Sequence, residues 1–227
     1  MKKFVLVLGL LCATCAVGCE EENQYDENGE LIPPTPMDYG KLAKSIAQYA
    51  LGVFGVGMLL ITVTKTFGGL SYPAARLSLT QLLRTNPNQA EVTARNMKDS
   101  FGEAIGTAMK TAAMVGGPDP AAIPATTTPT YDGHAGAIVS RWGGLISKGK
   151  LYVVAALGGF ALGVSKGEFP IISFLLAALA VGAFIRVYTY KGEVESTIVR
   201  ARHELLPEVD RAMCSGLYQF PPKPPQP

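Results

Sequence analysis

The residues able to do chemistry are few, and they stand apart. His134 and His203 are the only histidines in the 227-residue chain. Neither has a partner at metal-ligand spacing, so each reads as a surface or helix-face side chain. Ser140 and Ser215 lack the Gly-x-Ser-x-Gly frame that lifts a nucleophile onto a sharp turn. Gly116-Gly117-Pro118 is followed by Asp119, not by the lysine and hydroxyl pair of a phosphate-binding loop. Of the four cysteines, Cys12 and Cys15 have CxxC spacing but fall in an apolar leader, and Cys214 is left alone near the far end. No intramolecular disulfide and no cysteine metal centre is expected. Glu168, beside Lys166, lies in the turn between two apolar runs. It reads either as an ion-pathway acid or, more simply, as a solvated turn. No acid sits in the middle of an apolar run, where ion-coupled machinery places one. These patterns predict a protein that is not an enzyme and that carries no cofactor and no metal.

The chemistry that remains is that of surfaces, so the elements themselves carry the reading. Hydrophobic residues make up 48% of the chain and charged residues only 17%. Mean hydropathy is +0.23, a composition that points to a bilayer as solvent. The formal charge is +2, but without Lys2 and Lys3 the basic and acidic residues balance, which removes the electrostatic case for a nucleic-acid partner.

The expected fold is all-α, a membrane protein with one N-terminal transmembrane helix, amphipathic cytoplasmic helices and a C-terminal transmembrane hairpin. Residues 1–18 read as a secretory leader: Lys2-Lys3, an apolar run from Phe4 to Leu11, then small residues. Residues 19–44 form an acidic tether in which Pro33, Pro34 and Pro36 oppose packing. Residues 45–65 hold the first span, bracketed by Lys44 and Lys65 and enriched in glycine at Gly52, Gly55 and Gly57. Residues 151–186 hold the hairpin, whose arms run Leu151–Val164 and Ile171–Ile185; Gly159 and Gly163 make a Gly-x-x-x-Gly face. Gly52, Gly55, Gly159 and Gly163 are the expected helix-packing positions. Trp142, Tyr152, Tyr188 and Tyr190 suit a headgroup belt.

Residues 66–150 form the middle section. Pro73 opens a helix whose apolar side is Leu77, Leu79, Leu82 and Leu83. Asn86-Pro87 starts another, with Gln89 at the third position, and it is expected to run to Gly116 with Glu91 and Arg95 paired on its surface. Gly102 and Gly106 read as a close-packing pair on that helix. Pro124 to Thr130 reads as a loop and Asp132 to Ser147 as a short helix. Residues 187–216 alternate again at helical spacing through Val194, Ile198, Ala201 and Leu205, with Pro207 as a kink or restart. Residues 217–227 end in a polyproline tail, expected to be disordered.

Charge sets the expected orientation. No Lys or Arg falls between Cys19 and Tyr39, whereas the middle section carries eight basic residues against five acidic ones. By the positive-inside rule the middle section is cytoplasmic and the tether extracytoplasmic.

Two resemblances add to this. Ala16-Val17-Gly18-Cys19 resembles the lipobox of bacterial lipoproteins, which implies a diacylglycerol on Cys19 after removal of residues 1–18; Ala16 departs from the leucine usual there. The layout, an outside N-terminus, a large section after the first span and a closing hairpin, is similar to that of the TolQ/ExbB/MotA group in arrangement and length alone, and no residue is carried over from it. The expected role is a non-catalytic, lipid-tethered subunit of a bacterial inner-membrane complex, with the lipid bilayer and other membrane subunits as partners, oligomeric or in a hetero-complex. The alternative is an ion-conducting or energy-transducing subunit.

Overall fold

A computed structural model describes residues 39–66, 71–115, 119–165 and 170–221. The leader, Cys19, most of the acidic tether, Gly116 to Pro118, Lys166, Glu168 and the tail beyond residue 221 lie outside the described residues. Among those described the chain is all-helical, with no strand. The helices in chain order are α1 (Tyr39–Thr64), α2 (Tyr72–Thr85), α3 (Pro87–Asn96), α4 (Phe101–Val115), α5 (Ala122–Val164), α6 (Ile171–Glu204) and α7 (Leu206–Cys214).

Three of them, α1, α5 and α6, are long and apolar enough to cross a membrane. At 1.5 Å per residue the 26 residues of α1 reach about 39 Å, more than a hydrocarbon core of roughly 30 Å. α1 packs against the C-terminal half of α5 and the N-terminal half of α6 to make a three-helix bundle. Gln48, Gly163, Pro170 and Ser173 meet at one end of it, and Leu59, Gly149 and Phe184 meet at the other. α1 therefore runs parallel to α6 and antiparallel to α5.

The remaining halves of α5 and α6 leave the bundle at the Leu59 end and enter a second body built with α2, α3, α4 and α7. Its core gathers Leu79, Ile105, Met109, Ile123, Ile138, Val209 and Met213, all essentially inaccessible to solvent. Its surface carries nearly all the ion pairs among the described residues, including Arg76–Glu204, Arg141–Glu103 and Arg202–Asp132.

Several expectations from the sequence change here. The stretch Pro124 to Thr130 is not a loop, and residues 132–147 and 151–164 are not separate helices; all belong to the 43-residue α5. Pro124 falls in the first turn, where its missing N–H leaves no bond unmade. Pro129 does interrupt the ladder, yet the turn is held by burial of Ile123, Thr127 and Tyr131. The Tyr131 hydroxyl donates to the Ile198 carbonyl at 2.8 Å. Packing overrides the local preference. In the same way the second hairpin arm and the helix expected after it are one 34-residue helix, α6.

The helix expected from Asn86 to Gly116 is instead broken at Met97–Ser100 into α3 and α4. Asp99 takes a left-handed conformation there, φ 58°, which aspartate tolerates better than most side chains. The Asn86 cap forms as expected, its side chain accepting from the Gln89 N–H at 3.2 Å. Leu77, assigned to an apolar side, is exposed, while Leu79 and Leu83 are buried. Pro207 occupies the first turn of α7 and restarts the helix after Leu205.

Candidate functional site: a glycine seam and a charged clamp

The bundle is assembled on small residues. A Cβ on Gly159 would stand 2.6 Å from the Gln48 carbonyl oxygen, and one on Gly163 would stand 2.5 Å from Pro170 Cγ. A Cβ on Gly55 would run into the Tyr152 carbonyl, and one on Gly52 would press on Leu176 Cδ1 at 3.0 Å. At Gly55 and Gly159 the obstacle is backbone, which cannot rotate away, so only a hydrogen fits. These four glycines sit along the faces by which α1 meets α5 and α6, and they let the helix axes come together as membrane helices do without a hydrophobic drive between them. Gly158, one residue from Gly159, has nothing within 4 Å.

A polar contact lies inside this seam. Gln48 is 3% exposed and its Nε2 donates to Ser173 Oγ at 2.6 Å. A side-chain hydrogen bond between helices fixes their register and, in an apolar surrounding, has few competitors. Gln48 was not among the residues expected to pack the helices. Its signal was available, as the one amide side chain within the first apolar run.

The second constellation is the loop between α3 and α4. Arg141, from the middle of α5, reaches Asp99 Oδ1 at 3.0 Å and Glu103 Oε1 at 2.7 Å. The other Glu103 oxygen accepts the Asp99 backbone N–H at 2.6 Å. Trp142 Nε1 donates to the Asp99 carbonyl at 3.1 Å. Two consecutive residues of α5 thus hold the left-handed turn from both sides. Burial pushes the Glu103 carboxyl up, but the Arg141 hydrogen bond, the Asp99 N–H and the Arg141 charge outweigh it, and the net direction is down. A cleft of about 360 Å³ opens here, lined by Arg95, Lys98, Asp99, Glu103, Thr107 and Arg141. It is open and mixed in sign, and Arg141 pairs with both of its carboxylates.

Trp142 was expected at a headgroup level. It is 2% exposed, packs against the Tyr190 ring at 5.1 Å and belongs to the core of the helical body. Tyr188 is exposed. The break that Trp142 helps to hold also had a readable sign. Ser100-Phe101-Gly102-Glu103 is a Ser-x-x-Glu capping pattern at the first turn of α4, within what read as continuous helix. Gly102 and Gly106 lie against α3, where a Cβ on Gly106 would meet the Arg95 backbone N at 2.6 Å.

Elsewhere the candidate residues stay apart. His134 is half-buried on α5 and His203 exposed on α6. Cys214 is a free, exposed thiol at the end of α7. Among the described residues no group of three His, Cys, Asp or Glu is placed to hold a metal ion. No family model matches the chain, and no similar curated protein or solved structure was found.

Proposed function

We propose that this protein is a non-catalytic membrane subunit of the bacterial envelope that scaffolds or assembles a larger complex, tethered in addition by a lipid on Cys19. In this reading it sits in the inner membrane, with the N-terminus of α1 and the hairpin tip outside and the helical body in the cytoplasm. The observation that carries the reading is the inversion of the bundle's surface. Its outward positions are large and apolar, among them Phe54, Leu60, Leu151, Val154, Ile172 and Leu175, while its inward positions are mostly glycine and alanine, with Val56 and Leu59 as the buried aliphatic side chains. Water would penalise such a surface at every step along three helices, whereas lipid tails solvate it at no cost. The charged body at one end then offers folded surface for partners.

Three experiments test the reading. The protein should stay in the membrane fraction and need detergent for extraction; recovery in buffer alone would end it. Crosslinking followed by mass spectrometry should return larger partners at fixed stoichiometry, together with a diacylglyceryl Cys19 at the mature N-terminus. Reporter fusions after Leu83 and after Gln219 should both read cytoplasmic.

One feature favours the second reading, an energy-transducing or ion-conducting subunit. α5 and α6 run without a break from the apolar bundle into the helical body, over about 65 Å and 51 Å at 1.5 Å per residue. A rigid helix passes displacement from one end to the other, which suits force transmission. Selective ion currents in liposomes, lost on Glu168→Ala, would select this reading over the scaffold; silent liposomes would remove its conducting form.

A further inference from the structure

The last described residues do not trail into solvent. After α7 the chain turns at Gly216, φ 77°, and runs extended across the start of α3. Asn88 holds it as one strand holds another: its Nδ2 donates to the Gln219 carbonyl at 3.0 Å, and its Oδ1 accepts the Gln219 N–H at 2.9 Å. Both bonds are to backbone, so Asn88 recognises an extended chain whatever side chain position 219 carries. Specificity comes from the neighbours. Tyr218 is 5% exposed, and its hydroxyl donates to Glu91 Oε2, one turn along α3 from Asn88. Phe220 stacks edge-on against Tyr218 with ring centroids 5.0 Å apart.

The strap does not fill the face it lies on. A cleft of about 600 Å³ remains beside it, lined by Thr85, Asn86, Asn88, Gln89 and Val92 together with the strap's own Leu217 and Gln219. Val92, on α3, is 55% exposed there. A backbone-reading amide, a pocket for one aromatic ring and an open cleft alongside, lined mostly by polar residues, are the parts of a peptide-recognition groove. The flexible glycine immediately before the strap supplies a hinge.

We propose that the α2–α3 face is a docking site for an extended Tyr-x-Phe segment, and that the chain's own Leu217–Pro221 is its resident ligand, shielding the groove until it is displaced. Tethering places the resident ligand at an effective concentration in the millimolar range, so the groove is closed to dilute competitors in the intact chain. The groove and its strap are the same whichever side of a membrane the body occupies.

The test uses the full chain in detergent and a labelled synthetic peptide of residues 215–221. Tyr218→Ala removes the anchoring ring from the strap and leaves the groove intact. This unlatched chain should bind the peptide saturably at one site, at least about tenfold more tightly than the unaltered chain does, because the tethered competitor is weakened. Adding Asn88→Ala to it should cut peptide affinity by about tenfold through loss of the two backbone bonds. If Tyr218→Ala does not fold, Gln219→Pro serves instead, removing the strap's N–H bond to Asn88 at an exposed position while restricting the strap backbone to extended conformations. Equal binding to latched and unlatched chains, binding to neither, or binding indifferent to Asn88→Ala would each overturn the proposal.

Discussion

The apolar bundle and the helical body share two helices, α5 and α6, yet they are packed in opposite senses. In the body, large side chains such as Ile105, Met109 and Ile138 point inward and charges point outward. In the bundle, mostly glycine and alanine point inward, joined by Leu59, Val56 and Gln48, while most leucine, isoleucine and phenylalanine side chains point outward. The body gains stability by removing apolar area from water. In the membrane that we propose for it, the bundle gains it from close backbone approach, since its outward side chains lose nothing in a lipid-like solvent. One helix can serve both regimes because its 3.6-residue period is indifferent to which solvent each face meets.

Substitutions in the seam should separate the two regimes most sharply. Gly55→Leu or Gly159→Leu should destabilise the bundle by about 3 kcal/mol or more, because the added atoms meet backbone carbonyls. Gly158→Leu, with open space around it, should change thermal unfolding in detergent very little. If the neighbouring substitutions behaved alike, the seam would not be what holds α1 to α5.

Truncating apolar side chains should sort the other way. Ile138→Ala in the body should cost about 3 kcal/mol, while outward Ile172→Ala in the bundle should cost under about 0.5 kcal/mol. Equal losses, measured by the same melts, would mean that the bundle is stabilised as a water-soluble core is.

Smaller effects probe the clamp that joins α5 to the α3–α4 turn. Trp142→Phe keeps most of the packing but leaves the Asp99 carbonyl without its indole donor, at a cost of about 1 kcal/mol. Hydrogen exchange at residues 97–100 should rise, and exchange in the bundle should not.

The smallest effect is a pH dependence. Folding lowers the pKa of the Glu103 carboxyl, so its contribution is present above the unfolded carboxylate range and is lost as pH falls through the lowered folded value. Glu103→Gln should therefore flatten the acid limb of a stability-against-pH curve and leave the alkaline limb unchanged. Asp210 responds with the opposite sign. Burial pushes its carboxyl up against the hydrogen bond from Thr127, so acidification relieves it instead of weakening it. An unchanged acid limb in Glu103→Gln would show that the clamp is not coupled to folding.

From the chain alone, composition and apolar run length determined the helical class and the three long apolar helices, because hydropathy and the 1.5 Å rise are local properties that no neighbour alters. The Asn86 cap and the restart at Pro207 were legible for the same reason: each is settled by a handful of adjacent atoms. What the sequence did not reveal depends on residues far apart in the chain. Pro124 to Thr130 became helix because α6 lies ready to cover Tyr131 and accept its hydroxyl. Trp142 left the expected interface for the core because the Asp99 carbonyl and the Tyr190 ring were there to receive it. Leu217–Pro221 became a strap because Asn88, some 131 residues earlier, pairs with its backbone. In each case proline and glycine content or aromatic type set a local preference, and burial with a matched hydrogen bond, available only once the helices had packed, outweighed it.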